Sequence, residues 1–221
     1  MASLILRPVA SWGYVASTVP ADTPIEDVYK LVNEEVADED ATYFTLAVNG
    51  SEALNNVLFK YELPKNVKRI TSLNKIYPTW RQKGTGASST VPARYSDGNS
   101  LRGNYWRCGA NASTWFSQTK DETEVYDNEG TIDLEAIREL LNEGDFGMLM
   151  YYGAAKNVPS LTQIYLELDC EYEEAGTPIY FKENETWEEL SGTIYKKTNG
   201  IWEEVAPENI PLLEYPIEEV S

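Results

Sequence analysis

The spacing of apolar and polar residues predicts a chain made mainly of β-strands. The longest run of strict period-two alternation covers residues 162–172, with apolar residues at Ile164, Leu166, Leu168 and Cys170. Such alternation is typical of a strand with one face on a core and the other in water. Shorter β-rich runs, separated by turn residues, lie at 42–48, 57–63, 67–80 and 146–152. This succession of short strands predicts an antiparallel β-sandwich.

Two segments have helical periodicity. Within residues 131–143 one apolar face is formed by Leu134, Ile137, Leu140 and Leu141, and Gly144 follows where a helix C-cap belongs. The pattern over 25–36 fits either a short helix, with Asp22 or Thr23 as its N-cap, or an extended connection. Long amphipathic helices are too few for a parallel α/β fold. We therefore expect one or two short helices beside the strands.

A repeat with an offset of fifteen residues lies near the C-terminus. Residues 179–190 and 194–205 share Ile, Tyr, Lys, Asn, Trp and a Glu-Glu pair at equivalent positions. Each unit predicts a β-hairpin, because two β-rich segments flank an Asn-containing turn. The repeat is either a small appendage held by its aromatic rings or an assembly element. In the second case its interface candidates are Tyr180, Trp187, Tyr195 and Trp202.

These patterns divide the chain into three parts. We expect a β-sandwich over 1–173, a two-unit hairpin repeat over 174–206 and an extended arm over 207–221. The arm contains three prolines, which disfavour a helix.

The net charge and its distribution bear on which partners the protein can bind. The 221 residues include 36 acidic and 18 basic side chains and no histidine, a net charge of -18. This charge argues against electrostatic binding of nucleic acid. Residues 60–110 hold ten basic and two acidic residues, whereas 167–221 hold three basic and fifteen acidic residues. The asymmetry fits ordinary solvated faces or complementary contact between copies or with a partner, with Arg102 and Arg107 as interface candidates.

The residue types offer little support for catalysis. Without histidine there is no Ser-His-Asp triad, Cys-His pair or His-ligated metal. We expect no enzyme activity, no cofactor and no metal site. Cys108 and Cys170 fit either buried thiols or one disulfide. A possible glycan platform, with core and loop packing as the alternative, consists of Trp80, Tyr95, Tyr105, Trp106 and Trp115.

The N-terminal segment gives no indication of export or membrane insertion. Its apolar run, at residues 4–6, is three residues long and lacks a leading positive charge, so no signal peptide is predicted. A run of about 18 apolar residues, as a membrane span needs, does not occur. We expect a soluble product that is made without an encoded export signal.

Several short motifs resemble the jelly-roll module of virion proteins from tailed bacteriophages. They are Arg7-Pro8, the acidic turn and aromatic strand at 36–43, the helix at 134–141 and the Gln-Ile-Tyr-Leu-Glu-Leu strand at 163–168. The hairpin units at 180–202 also resemble segments of phage structural proteins from Gram-positive hosts. The resemblance implies a jelly-roll-like sandwich that acts as a non-enzymatic building block of the virion.

This resemblance implies partners and a location in the virion, after synthesis in the host cytoplasm. The partners would be other virion proteins and further copies of the chain, in a homo-oligomer. The first expectation is a protein that decorates the capsid surface or forms a head fibre. The alternative is a tail or baseplate component that acts as a carbohydrate-binding module for adsorption to a host-surface glycan.

Overall fold

A computed structural model describes most of the N-terminal three quarters of the chain and four short segments beyond it. The described residues are 2–46, 56–84, 88–101, 105–108, 112–121, 123–124, 132–151, 159–175, 180–183, 186–189, 195–198 and 201–204. Contacts within the chain define two compact units, Met1–Glu173 and Glu174–Ser221.

The described residues of the first unit form eleven strands in two sheets. In chain order the strands are β1 (Ala2–Leu6), β2 (Pro8–Gly13), β3 (Ser17–Val19), β4 (Tyr43–Thr45), β5 (Val57–Tyr61), β6 (Val67–Gly84), β7 (Ser88–Arg94), β8 (Trp106–Cys108), β9 (Ala112–Thr119), β10 (Phe146–Tyr151) and β11 (Ser160–Glu174). The first sheet has the order β3-β4-β11-β6-β9, with β1 also paired to β11. The second sheet has the order β2-β5-β10-β7-β8.

The order of β4 to β11 is that of a jelly roll. The strand pairs β4-β11 and β6-β9 lie in the first sheet and alternate with β5-β10 and β7-β8 in the second. The pairs β4-β11, β6-β9, β5-β10, β10-β7 and β7-β8 are antiparallel. Eight antiparallel strands exchanged between two sheets in this way form a jelly-roll sandwich. The predicted fold class, a mainly β jelly-roll-like sandwich, is therefore confirmed.

The N-terminal strands connect the two sheets. β1 pairs with β11 in the first sheet, and β2, which begins two residues later at Pro8, pairs with β5 in the second. Arg7 thus occupies the position at which the chain passes from one sheet to the other.

The core lies between the sheets. Ile164, Leu166, Leu168 and Cys170 of β11 are all buried in it, as the alternating pattern predicts. Cys170 is a free thiol. Its burial raises the pKa of this thiol, so it behaves as a small apolar core residue.

The predicted helix is present as α1 (Leu134–Glu143). The Asp133 side chain accepts a hydrogen bond from the backbone N–H of Ala136, and Gly144 ends the helix in the left-handed conformation with φ 69°. The side-chain amide of Asn142 bonds both the N–H and the C=O of Ile70, at 2.7 and 2.9 Å. The helix is therefore attached to β6 by polar contacts as well as by its apolar face.

The earlier helical pattern forms a short 3-10 helix, Ile25–Leu31, with Val28 and Leu31 buried. The predicted N-cap at Asp22 or Thr23 is wrong, because Pro24 precedes the helix and no side chain caps it from that position. A side chain from β2, Ser11, bonds this helix instead. Neither helix in the described ranges is long and apolar enough to cross a membrane.

The described residues of the second unit form two hairpins with matching register. β12 (Tyr180–Glu183) pairs with β13 (Thr186–Glu189), and β14 (Tyr195–Thr198) pairs with β15 (Ile201–Glu204). Lys182 lies opposite Trp187 in the first hairpin, and Lys197 lies opposite Trp202 in the second. The sequence repeat is thus also a repeat of backbone pairing. The predicted arm, 207–221, lies outside the described residues.

Candidate binding surface

In strand β2 a small polar residue is buried and the large apolar residue after it is exposed. The small polar Ser11 is 3% exposed, whereas the large apolar Trp12 is 42% exposed. Ser11 faces inward because its hydroxyl serves the 3-10 helix. Its Oγ donates to the C=O of Ile25 at 2.6 Å and accepts from the N–H of Tyr29 at 3.0 Å. Successive strand residues alternate between faces, so the inward position of Ser11 directs Trp12 away from the core.

The Trp12 ring is fixed by the turn that follows β7. Its Nε1–H donates to the C=O of Tyr95 at 3.3 Å. A Cβ atom at Gly98 would lie 3.1 Å from the Cζ2 and Cη2 atoms of Trp12, and Gly98 has a φ of +70°. Glycine therefore suits both the backbone conformation and the close approach of the indole edge.

A carboxylate next to β10 holds this turn in place. Asp145 Oδ1 accepts from the N–H of Ser96 at 2.7 Å, and Oδ2 accepts from the Ser96 hydroxyl at 2.8 Å and from Arg94 Nη1 at 2.9 Å. Desolvation raises the pKa of Asp145, but these hydrogen bonds outweigh that effect and hold the pKa below its usual value. The ionised carboxylate thus stabilises the turn.

A second glycine lets the turn approach the outer side of the second sheet. A Cβ atom at Gly147 would lie 2.9 Å from Leu58 Cδ1 and 3.4 Å from Tyr95 Cα. Leu58 is fully buried even though its pairing partner Trp12 is exposed. We call Trp12, Lys60 and the turn 95–99 the Trp12 surface.

The rim of this surface is polar. Lys60 Nζ lies 5.8 Å from the centroid of the Tyr95 ring and 2.5 Å from Glu62 Oε1. Asp97 and Asn99 are exposed on the same turn as Gly98, and Asp97 Oδ1 accepts from the N–H of Asn99 at 2.8 Å. The arrangement offers one exposed aromatic ring beside charged and amide side chains.

A different aromatic site lies on the outer face of the first sheet. Trp115 of β9 is half-buried, its Nε1–H donates to Asp40 Oδ1 at 3.0 Å, and its ring lies 5.8 Å from that of Tyr43. Lys83 Nζ lies 5.7 Å from the Trp115 ring and 3.1 Å from Asp40. Beside it Arg81 forms an ion pair with Glu39. We call Trp115, Tyr43, Asp40 and Lys83 the Trp115 cluster.

The structure does not bring the five residues of the predicted glycan platform together on one surface. Trp80 and Trp106 are 1% and 0% exposed, so neither ring can stack on a ligand. Their Nε1–H groups bond Thr90 Oγ1 and the C=O of Asp121. Tyr95 lies in the Trp12 surface, Trp115 lies in its own cluster, and Tyr105 is half-buried. For Trp80 and Trp106, core packing is the correct interpretation.

The interface candidates are only partly described. Arg107 is exposed on β8. Arg102 lies outside the described residues. The backbone places Tyr180, Trp187, Tyr195 and Trp202 on the four hairpin strands of the second unit.

Much of the basic charge at 60–110 is paired within the first unit. Among the described residues, at least six of its ten basic residues contact carboxylates: Lys60–Glu62, Lys68–Glu173, Arg69–Glu173, Arg81–Glu39, Lys83–Asp40 and Arg94–Asp145. Among these carboxylates, Glu173 alone belongs to the acidic segment 167–221. Internal pairing therefore reduces the basic charge available for contacts between copies.

Three of the motifs that resemble the phage module meet or border one another. The Arg7 guanidinium bonds the C=O of Glu34 and lies 5.4 Å from the ring centroid of Tyr165. Gln163 Nε2 donates to the C=O groups of Glu34 and Glu35, both at 3.0 Å. The segment that leads into the acidic turn is thus held by Arg7 and by Gln163 of the closing strand.

Sequence reasoning missed Trp12 and Tyr14, which are exposed by 42% and 52%. The available signal was the order Ser11-Trp12 in a segment that begins as a strand. The order of a polar and an aromatic residue does not show which of the two side chains faces the core. That becomes clear only when the hydrogen-bond partner of the polar residue is known.

Comparisons with known proteins add no family assignment. No protein-family model matches the sequence, and no curated protein matches it. Among solved structures, an arabinose-bound α-L-arabinofuranosidase aligns with 72% of this chain and 23% of its own, with 10% identity and a TM-score of 0.38. The chain thus spans less than a quarter of that protein's length. A TM-score of this size is too low to support an argument about fold or function.

Proposed function

We propose that the chain is a non-enzymatic structural protein of a bacteriophage virion, which decorates the capsid surface or forms a head fibre. The strand order supports this proposal, since jelly rolls with two packed sheets are used by viral capsid domains as well as by lectins. Such a fold by itself carries no activity, so the proposal depends on more than topology.

The observation that carries the proposal is the contact between the motif segments. Arg7, the segment around Glu34 and the strand residues Gln163 and Tyr165 form one packed group on the first sheet. A packed group of this kind is what motifs of one shared module would form, and it supports the proposal. These residues connect the N-terminal crossing between the sheets to the closing strand.

The second unit supports decoration more than a shaft. It contributes two short hairpins with the same register. A long fibre shaft would require many stacked repeats, because each repeat is stabilised mainly by its neighbours. Two short hairpins suit an element that attaches the protein at its end.

The test is the copy number of the protein in particles of the virus that encodes it. Quantitative mass spectrometry of gradient-purified particles should give a constant ratio to the major capsid protein across preparations. Immunogold labelling should place the protein on the head. Absence from the particles, or a ratio that varies with washing, would contradict the proposal.

The second candidate is a tail or baseplate component that binds a host-surface glycan. The exposed Trp12 ring favours it, since an accessible aromatic plane suits a sugar ring. Gold label on the tail instead of the head would select this candidate.

A further inference from the structure

We propose that the Trp12 surface is a binding site for a neutral saccharide, which stacks on the exposed face of the Trp12 indole. This inference concerns the isolated chain and does not depend on the proposed location in a virion. It differs from the platform predicted from sequence, which did not include Trp12.

The first argument is the fixed orientation of an exposed ring. Trp12 is 42% exposed, yet its N–H group is bonded to the Tyr95 C=O and its edge abuts Gly98. The turn that holds it is in turn bonded to Asp145 through Ser96. A ring held in this way loses little conformational freedom on binding, which favours affinity at a small site.

The second argument is the chemistry beside the ring. Asp97, Asn99 and Lys60 supply acceptors and donors on the same surface. Sugars present apolar C–H faces and hydroxyl edges. An aromatic plane next to a few polar groups therefore matches both parts of a pyranose.

The third argument is charge. The chain carries a net charge of -18, which repels anionic polysaccharides over distances of about 10 Å at ordinary ionic strength. The nearby cations are Lys60 and Arg94, and ion pairs offset both, with Glu62 for Lys60 and with Glu143 and Asp145 for Arg94. The surface therefore selects neutral sugars over uronates or phosphate-containing polymers.

A protein partner is the competing occupant. Val9, which is 41% exposed, precedes Trp12 on the same strand, β2. A stable protein interface buries about 800 Å² on each partner and would extend to Val9 as well. A saccharide site needs only the Trp12 ring and its polar rim. The two occupants thus predict different effects of substitutions at Val9.

The experiment is calorimetric titration of the full chain with cellohexaose and with chitohexaose, two neutral β-1,4-linked hexasaccharides. We expect saturable binding of at least one. Trp12→Ala should weaken it at least tenfold, a change of about 1.4 kcal/mol. Trp12→Phe, which keeps an aromatic plane, should retain part of the affinity. Val9→Ala is the matched control on the same strand and should bind like the wild type.

Asn99→Ala keeps the proposal testable if the Trp12 variants fail to fold. It removes a polar group from the rim and should weaken binding several-fold. The proposal is overturned if the wild type binds neither hexasaccharide at about 10 mM, well above the 1 mM that corresponds to about -4.1 kcal/mol. It is also overturned if Trp12→Ala or Asn99→Ala binds with wild-type affinity. Equal losses of self-association in Trp12→Ala and Val9→Ala, without saccharide binding, would identify a protein interface instead.

Discussion

Trp12 and Trp115 occupy outer faces of the two sheets and both donate their indole N–H, but only one presents a free ring. Trp115 is half-buried, with the Tyr43 ring and the Lys83 ammonium group packed near it. Trp12 is bonded along its edge and remains 42% exposed. Ligand access is therefore decided by what covers the faces of a ring, since both N–H groups are satisfied.

The difference originates in the segments that cross each sheet. The acidic turn before β4 forms ion pairs with β6, between Glu39 and Arg81 and between Asp40 and Lys83. These ion pairs hold the turn next to Trp115. The turn after β7 is bonded to Asp145 instead and meets Trp12 at a glycine. The acidic turn thus covers part of the Trp115 ring, whereas the turn after β7 contacts only the edge of the Trp12 ring.

The largest effect should come from a substitution that removes the support of both surfaces. Leu166 is fully buried in the core between the sheets. Leu166→Asp places an unpaired carboxylate there, at a cost of several kcal/mol against a total stability of roughly 5–15 kcal/mol. We expect loss of soluble folded protein in an expression and circular-dichroism assay. The neighbouring Glu167→Ala, which loses one exposed hydrogen bond from Ser3, should remain folded. A normal melting temperature for Leu166→Asp would contradict the core assignment.

The strand and helix patterns were predictable because burial imposes them directly. Along β11, alternation correctly placed Ile164 to Cys170 in the core. In α1, both the apolar face and the terminal Gly144 follow local rules. Strand order was a different matter: alternation indicates a sandwich, and the jelly-roll order was expected only from the resemblance.

The site could not be predicted from sequence because it depends on long-range partners. Trp80 is a platform candidate from sequence, with core packing as the alternative; its ring lies in the core and Thr90 satisfies its N–H. Trp12 is exposed because Ser11 bonds a helix fourteen and eighteen residues away. Whether a tryptophan is buried or exposed thus depends on long-range contacts that the composition does not reveal.

The two tryptophans should differ in their contribution to stability. Trp115→Ala removes a ring contact with Tyr43 and the bond to Asp40, and we expect a loss of about 2 kcal/mol in the free energy of unfolding. Trp12→Ala removes an exposed ring and one long hydrogen bond, so its loss should be within about 1 kcal/mol. Urea denaturation of the two variants measures this contrast. Equal losses would mean that the exposed ring is as strongly packed as the half-buried one.

A smaller effect is expected from the residue that turns Trp12 outward. Ser11→Ala leaves the Tyr29 N–H and the Ile25 C=O without their side-chain partner. The cost should be about 1 kcal/mol, typical of a lost hydrogen bond in a partly buried site. Hydrogen exchange should quicken at the Tyr29 amide more than at the Ala136 amide, which Asp133 bonds in α1. Unchanged exchange at Tyr29 would show that Ser11 does not anchor the helix.

The smallest predicted effect is a pH dependence at the Trp12 surface that originates in Asp145. Hydrogen bonds from Ser96 and Arg94 hold the pKa of Asp145 below its ordinary value of 3.8, so the folded state favours the ionised form. This stabilisation is fully present above the unfolded-state pKa and is lost as the pH falls through the lower pKa of the folded state. The Ser96 amide, which donates to Asp145 at 2.7 Å, should therefore shift in nuclear magnetic resonance spectra with a midpoint below 3.8. In Asp145→Asn the titration of this amide should disappear. The control is the Trp115 cluster, where the indole N–H of Trp115 bonds Asp40. Hydrogen bonds from Trp115 and Lys83 lower the pKa of Asp40 as well. The indole N–H signal of Trp115 should therefore titrate in Asp145→Asn as it does in the wild type. A midpoint for Ser96 above the ordinary value would mean that the turn is not held by an ionised Asp145.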